Sequence, residues 1–331
     1  LKMIGMVFFF FSANLIFSVS QAELCNNEDK RALLQIKKGF GNPNLLQTWQ
    51  NETDCCTEWY QVECDSVTHR IISLTVFSGD LSGELNSAIG DLPYLKTLDF
   101  NHLTNVTGPI PPSIAKLTSL SFLRLKNLKL RGSVPSFLGR LSALTFLDLS
   151  FNQLSGAIPP ELGSLSNLLA LHLDRNFFSG HIPEELGAFK GNTDIYLSNN
   201  RLVGRIPASF RNLKSSVIDL SRNALVGDAS ILFGLRKTTT RIDISRNKLG
   251  FDLSSVAFPG GLSYLDMSHN AITGSLPRQM TELDLQFLNV SYNQLCGNIP
   301  AGGKLQSFDG FVYLHNKCLC GSPLPSCMKK L

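Results

Sequence analysis

The sequence predicts an α/β solenoid, right-handed and about ten repeats long. It should carry a parallel β-sheet on its concave side and a disulfide-bonded cap at each end. Three observations predict it: short apolar/polar alternations spaced 23 to 25 residues apart, an asparagine that follows them at a fixed offset, and cysteines confined to the two ends of the 331-residue chain.

The unit is clearest at residues 144–168, LTFLDLSFNQLSGAIPPELGSLSNL. Its first part alternates with period two, so Leu147 and Leu149 point inward while Phe146, Asp148 and Ser150 point outward. One unit cannot cover its own leucines. Copies start at Leu74, Leu98, Leu123, Leu147, Leu171, Ile195, Ile218, Ile242, Leu265 and Leu288, within the spacing of leucine-rich repeats. The turn asparagine recurs at Asn152, Asn176, Asn200, Asn223, Asn247, Asn270 and Asn293. Buried in a turn, it pairs with backbone groups that would otherwise be orphaned. A glycine follows, as at Gly156, where a tight or left-handed backbone is needed, and then an apolar-Pro step such as Ile158-Pro159.

In chain order, residues 1–22 read as a secretory signal peptide. Lys2 precedes the apolar run 3–17, and Ser20-Gln21-Ala22 supplies small residues for cleavage after Ala22. The net charge of +4 becomes about +3 without Lys2 (+4 − 1), too mild to suggest nucleic acid or a membrane surface as partner. The remaining segments are an N-terminal cysteine-rich cap (23–70), the repeat solenoid (71–295, its tenth repeat running to about 308) and a C-terminal cap (296–331). Cys25, Cys55, Cys56 and Cys64 sit in the first cap, and Cys296, Cys318, Cys320 and Cys327 in the second. In a secreted chain these read as disulfides covering the exposed ends of a repeat stack, with three pairings open in each cluster. In the first cap, Asn27-Glu28-Asp29 starts a helix carrying Leu33, Leu34, Ile36 and Phe40 inward, and Gly41 and Pro43 end it. Trp49 and Trp59 are expected as cap core. No apolar stretch of about twenty residues follows Cys327, so no membrane anchor is expected.

CNNEDKRALLQIKKGFGNP, DCCTEWYQVECD, ten repeats of LxxLxLxxNxLxGxIPxxLGxL type and HNKCLCGSPLPSC together resemble the plant polygalacturonase-inhibiting proteins, over 23–327. The repeat consensus alone is shared with many plant receptor ectodomains; the paired caps and repeat count are more specific. The resemblance implies disulfides Cys25–Cys55, Cys56–Cys64, Cys296–Cys318 and Cys320–Cys327, a secreted protein of the plant cell wall, and a second sheet around the Gly-x-Ile-Pro steps. It also implies inhibition of fungal and other microbial endopolygalacturonases through the concave face, with cell-wall pectin as a further partner and no cofactor. Repeats seven (Gly227-Asp228-Ala229-Ser230) and eight (Gly250-Phe251-Asp252-Leu253) lack the Pro step, which argues against the second sheet there. Sequons stand at Asn51 in the cap, Asn105 in a loop and Asn289 on the tenth strand, where a glycan would shade one end of the concave face.

Ten strands at about 4.8 Å spacing make a concave surface roughly 43 Å long, suited to a protein partner. Its central column reads Thr75, Asp99, Arg124, Asp148, His172, Tyr196, Asp219, Asp243, Asp266 and Asn289, and the next column includes Lys126, Ser150 and Asp174. The partner-binding candidates are Asp99, Arg124, Phe146, Asp148, His172, Asp174, Tyr196, Asp219, Asp243 and Asp266. Asp219, Asp243 and Asp266 occupy successive strands and call for a cation: Arg222, Arg241 or Arg246 nearby, or basic residues of a partner. Phe122, Phe146, Phe151 and Tyr196 face outward as candidate hot spots. Asp148, His172, Ser150 and Ser198 superficially suggest a catalytic triad, but an open sheet offers neither oxyanion donors nor an enclosing pocket, so no enzyme is expected. The six histidines show no metal-ligand spacing, and no metal site is expected. Two other readings compete with the inhibitor: a non-inhibitory peptide- or protein-recognition module, and an ice-binding protein. The latter would want a regular Asn or Thr array facing water, whereas here the regular asparagines lie at turn positions.

Overall fold

The structure is a computed structural model that describes residues 24–327. The signal peptide 1–22, its cleavage point after Ala22 and the segment after Cys327 lie outside the described residues. Each repeat contributes one strand to the concave sheet, and parallel pairing runs in register from Ile71–Phe77 to Phe287–Asn289. Leu123, Leu147, Leu171 and Ile195 stand side by side in adjacent strands and are fully buried. The sheet has eleven strands rather than ten, because Val62–Cys64 of the N-terminal segment pairs antiparallel with Ile71–Phe77.

The asparagine ladder joins one repeat to the next. Asn152 Nδ2 donates to the carbonyl of Leu125 in the preceding repeat at 2.6 Å and to that of Leu149 at 3.1 Å. Its Oδ1 accepts from Leu130 N–H at 3.1 Å. Asn176, Asn200, Asn223, Asn247, Asn270 and Asn293 repeat the pattern. A further rung stands inside the C-terminal cap: Asn316 donates to Val290 O at 3.0 Å and accepts from Leu295 N–H at 3.1 Å. The cap therefore ends the stack by imitating a repeat. Its short 3₁₀ turn Gly310–Tyr313 takes the place of a strand, with Val290 N–H donating to Val312 O. Tyr313 is buried and donates to Leu305 O at 2.8 Å.

Behind the ladder the chain forms a second parallel sheet of eight short strands, from Ser82–Glu84 to Lys248–Leu249. Six of its strands, from Asn105–Gly108 to Ala224–Gly227, end on a left-handed glycine, φ +83° at Gly156, rather than at the Pro steps. Loss of the Pro step in repeats seven and eight does not interrupt this sheet: Ala224–Gly227 and Lys248–Leu249 both belong to it, because the pairing precedes the position that Pro occupies. Beyond Lys248–Leu249 it is continued only by an isolated bridge between Asp252 and Thr273. What the missing Pro changes is the convex side. Regular repeats carry five-residue 3₁₀ helices such as Pro160–Ser164, whereas repeats seven and eight have three-residue ones, Ser230–Leu232 and Leu253–Ser255. On the regular convex face these helices approach so closely that a Cβ on Gly163 would run into the Glu185 carbonyl, which explains glycine in LGxL.

The N-terminal cap is built on the helix Asn27–Gly39, whose cap residue Asn26 accepts from the N–H groups of Glu28 and Asp29. Leu33, Ile36 and Phe40 are buried, and Leu34 is half-buried. Asp29 locks the helix to the first repeat: Arg70 grips its carboxylate at 2.9 and 2.7 Å, and Ile71 N–H donates to it at 2.9 Å. Trp49 and Trp59 stack at 5.5 Å inside the cap. Disulfides join Cys25 to Cys55, Cys56 to Cys64, Cys296 to Cys318 and Cys320 to Cys327.

Replacing Asn152 by Ala removes the side-chain partner of Leu125 O and of Leu130 N–H in a buried turn, while Leu149 O keeps Asn176, and should cost about 1–3 kcal/mol in denaturant melts. Gly163→Ala should destabilise by about 1–3 kcal/mol through overpacking of the convex helices, without any polar loss. An Asn152→Ala melt matching wild type would remove the ladder from its structural role.

Candidate functional site

The concave columns take the order expected from strand parity. Asp99, Arg124, Asp148, His172, Tyr196, Asp219, Asp243, Asp266 and Asn289 are paired neighbours across successive strands. Outward parity does not make them all exposed, however. Asp99, Asp148 and Asp243 are buried, and Ser150, expected to face outward, is completely covered.

The cause lies in a local motif. In Asp-x-Ser, the aspartate Oδ1 accepts from the N–H and hydroxyl of the serine two residues on, closing the strand end. The distances are 2.9 and 2.6 Å at Asp148, and 3.1 and 2.7 Å at both Asp219 and Asp243. Asp266 takes the N–H of Ser268 at 2.9 Å. Asn289 makes the same pair of bonds to Ser291, at 3.1 and 2.8 Å. Each carboxylate is thus half structural, and an amide serves that half equally well.

The other half of each carboxylate differs along the solenoid. Toward the N-terminal end the charges are neutralised. Arg124 holds Asp99 through two bonds, one of 2.9 Å, which raises the guanidinium pKa, and Lys126 reaches Asp148 at 3.5 Å. Toward the C-terminal end, Asp219, Asp243 and Asp266 have no ion pair among the described residues. The expected local cation is committed elsewhere: Arg241 lies over the Tyr264 ring at 3.5 Å. Burial, reinforced by Asp219 and Asp266, pushes the Asp243 carboxyl up to about 6 against the pull of Ser245. Asp174 is likewise pushed to about 6, first by burial and then by Asp148.

Between these regions runs an aromatic stack. Phe122 and Phe146 lie face to face at 4.6 Å, Phe146 meets His172 at 5.4 Å, and His172 stacks on Tyr196 at 4.1 Å. Burial draws the His172 pKa down, and its nearest carboxylate is Asp174, with Nδ1 and Oδ1 3.9 Å apart. Asp148 Oδ1 is taken by Ser150, so Asp148, His172 and the serines form no triad. A second pair, Tyr264 on Phe287 at 4.3 Å, flanks the acidic trio.

Phe151 does not belong to the strand face where parity placed it. It has φ +57° and occupies the turn position immediately before the ladder asparagine. His102, Asn127, Arg175, Asn199, Arg222, Arg246, His269, Tyr292 and His315 share this left-handed conformation at φ +51° to +58°. The result is a ridge along the edge of the concave face that sequence reasoning missed, although its signal was present as the residue preceding each ladder asparagine. Phe151 lies between Lys126 and Arg175, 5.5 and 4.8 Å from its ring. Further along, His269, Tyr292 and His315 stack at 4.1 Å intervals. Arg222 and Arg246 on this ridge, expected as counterions of the acidic trio, are exposed and make no ion pair with it. Asn51 and Asn105 are exposed, but Asn105 opens the second-sheet strand Asn105–Gly108 rather than lying in a loop. Asn289 is half-buried with its Oδ1 engaged.

The family model described as "Leucine rich repeat N-terminal domain" matches residues 26–65, and "Leucine Rich Repeat" matches 143–165, 193–213, 261–283 and 284–304. A protein named "Polygalacturonase inhibitor" from Pyrus communis is 60% identical over 323 residues, covering 96% of this chain and 98% of its own. One of the same name from Vitis vinifera is 64% identical over 309 residues, covering 93% and 92%. Among solved structures, a plant ice-binding protein superposes with a TM-score of 0.90 at 50% identity, covering 93% of this chain and 99% of its own.

Asp174 and Asp243 predict a pH signature. Each folded carboxyl loses its proton near pH 6, and its unfolded counterpart near 4, so the folded state holds the extra proton between these values. Their contribution to stability therefore falls as pH rises from about 4 to 6. His172, with its lowered pKa, acts in the opposite sense, so the test is a difference. The melting temperatures of Asp174→Asn and Asp243→Asn, relative to wild type, should climb between pH 5 and pH 7 by about the equivalent of 1–3 kcal/mol. A flat difference would show that neither carboxyl is raised.

Proposed function

The chain belongs to the polygalacturonase-inhibitor family of leucine-rich-repeat proteins, which are inhibitors rather than enzymes, and on that premise we propose that it binds and inhibits fungal endopolygalacturonases through its concave face in the plant cell wall. The observation that carries the reading is the column Asp219, Asp243 and Asp266, without an ion pair among the described residues and flanked by partly exposed aromatic pairs. Adjacent like charges without counterions, Asp243 buried and Asp219 and Asp266 half-buried, disfavour the free protein and favour a partner that supplies cations. Stacked rings beside them give that partner a rigid apolar anchor. Arg124 and Asp99 are held rigid by their mutual pair and extend the same surface, with Phe146, Asp148, His172, Asp174 and Tyr196 between. No helix of the described residues is long and apolar enough to cross a membrane.

Pectin, the second partner, is assigned to the ridge. Arg175, Arg222 and Arg246 on the left-handed turns, with Arg201 and Lys248 just beyond, are exposed and form an electropositive edge beside the acidic column. A polyuronate fits that edge and is repelled by the trio. The resemblance to an ice-binding protein supports the fold and not that activity. The regular asparagines here spend their amides on backbone carbonyls, and the water-facing columns mix charges with rings.

The test is release of reducing ends from polygalacturonic acid by fungal endopolygalacturonases, with and without the protein. Substitution of the trio by lysine would also remove the acceptors that close three strands. Asp219→Asn, Asp243→Asn and Asp266→Asn remove charge alone, as Asn289 demonstrates. The triple variant should melt no lower than wild type. It should inhibit at least about tenfold more weakly, because loss of one partner of a desolvated charge pair costs about 2–5 kcal/mol. Convex Glu161→Gln with Glu185→Gln should change nothing. Equal inhibition by the triple and convex variants would dismiss the acidic column as the docking site.

A further inference from the structure

The convex side of repeats six to eight carries a charge pattern that concave binding leaves unused. The three-residue 3₁₀ helices of repeats seven and eight do not fill the space between neighbours, and two clefts open on either side of Phe233-Gly234. One, of about 430 Å³, lies between repeats six and seven and is lined by Arg211, Lys214, Arg236 and Lys237, with no carboxylate. The other, of about 390 Å³, lies between repeats seven and eight and is lined by Asp228 and Asp252, with no cation.

Both clefts share one apolar partition. Phe233 packs against Phe251 and Phe258 at 6.4 and 5.1 Å. Leu235 beside it is 70% exposed. None of the four cations is in an ion pair among the described residues. Lys237 Nζ donates to the carbonyls of Phe210 and Leu213 at 2.7 and 3.1 Å. Burial first, and then the nearby Arg211, lower the Lys237 pKa. Asp228 and Asp252 each close a turn, on the N–H groups of Ser230 and Ser254, and neither is in an ion pair among the described residues.

We propose that this face is a self-complementary interface through which two copies of the chain pair about a two-fold axis near Phe233-Gly234. An isologous contact requires a patch whose own two halves complement each other, because the axis lays each half on the opposite half of the other copy. Here the axis places the basic cleft of each protomer against the acidic cleft of its partner, and the two Leu235 side chains meet the apolar partition. A foreign acidic segment would satisfy the basic cleft and leave Asp228 and Asp252 unanswered; a second copy answers both. The face is opposite the concave columns, so the pair presents two outward concave surfaces.

The experiment is sedimentation velocity on the mature protein over a wide concentration range at low and high salt. A dimer should form with rising concentration and weaken with salt. Arg236→Asp opposes two carboxylates, and Asp228→Lys opposes two cations. Each variant alone should therefore raise the dimer dissociation constant at least about tenfold. Mixing the two variants should restore the dimer, since the mixed pair has one reversed contact and one native contact, both attractive. Melting temperatures close to wild type confirm that each variant is folded, and the mixed dimer tests the same point independently. A wild-type protein monomeric at every concentration overturns the proposal. So does a dimer indifferent to both substitutions, or a monomer that captures a glutamate-rich peptide in the basic cleft.

Discussion

The whole molecule depends on a buried turn amide that reaches backward to the preceding repeat. A parallel stack with a turn every 24 residues or so leaves a carbonyl and an N–H inside each bend with no strand partner. The asparagine side chain offers both donor and acceptor at the required reach, as at Asn152 toward Leu125 O and Leu130 N–H. Because each rung is fixed by the repeat before it, the repeats cannot turn independently. Concave strands then stay in register over the full length, and columns of outward side chains become continuous surfaces. The turn also holds a non-glycine residue in the left-handed region in repeat after repeat, ahead of Asn152 and the later asparagines and equally at His102 and Asn127, at about 1–3 kcal/mol apiece. That strain has a structural return: it lifts Phe151, Arg175, Arg222 and Tyr292 into a ridge that an unstrained turn would not present.

Repeat number, inward leucines, turn asparagines, left-handed glycines and the grouping of cysteines were legible because each is a one-dimensional pattern with a single physical cause. The parity of the concave columns followed from the same alternation. Exposure did not, since it depends on what lies across the strand: Asp148 is covered although its parity is outward, and Ser150 disappears under it. The position was legible as the residue before a turn asparagine, but its left-handed φ was not, since histidine, phenylalanine, arginine and tyrosine all occupy it. The missing Pro steps were visible, yet their effect was assigned to the wrong face. Six of the second-sheet strands end at the glycine, so Pro governs the convex helix that follows it.

The Asp-x-Ser motif shows why a structural and a functional account of the same residue need not compete. One carboxylate oxygen closes the strand end, a task Asn289 performs as an amide. The second oxygen is left to partners, where Arg124 and Lys126 meet it at one end and no ion pair meets it at the other among the described residues. Aspartate at these positions therefore serves the fold no better than asparagine, and in the trio it adds mutual repulsion and a desolvation penalty. A residue that lowers the stability of its own sheet, where an isostere would not, is best explained by a gain made outside the chain.

That penalty also places the trio on a proton balance. With the Asp243 carboxyl near 6, the free face is only partly charged in mildly acidic surroundings, and the remaining proton relieves the repulsion from Asp219 and Asp266. A cation brought by a partner lowers that pKa and expels the proton, so docking and deprotonation are linked. At the paired end the Asp99 carboxylate already has its cation, because Arg124 holds it through two bonds. One solenoid thus presents two kinds of acidic surface from the same repeat position: a permanently compensated end that positions neighbours, and an uncompensated end whose charge is completed by whatever binds it.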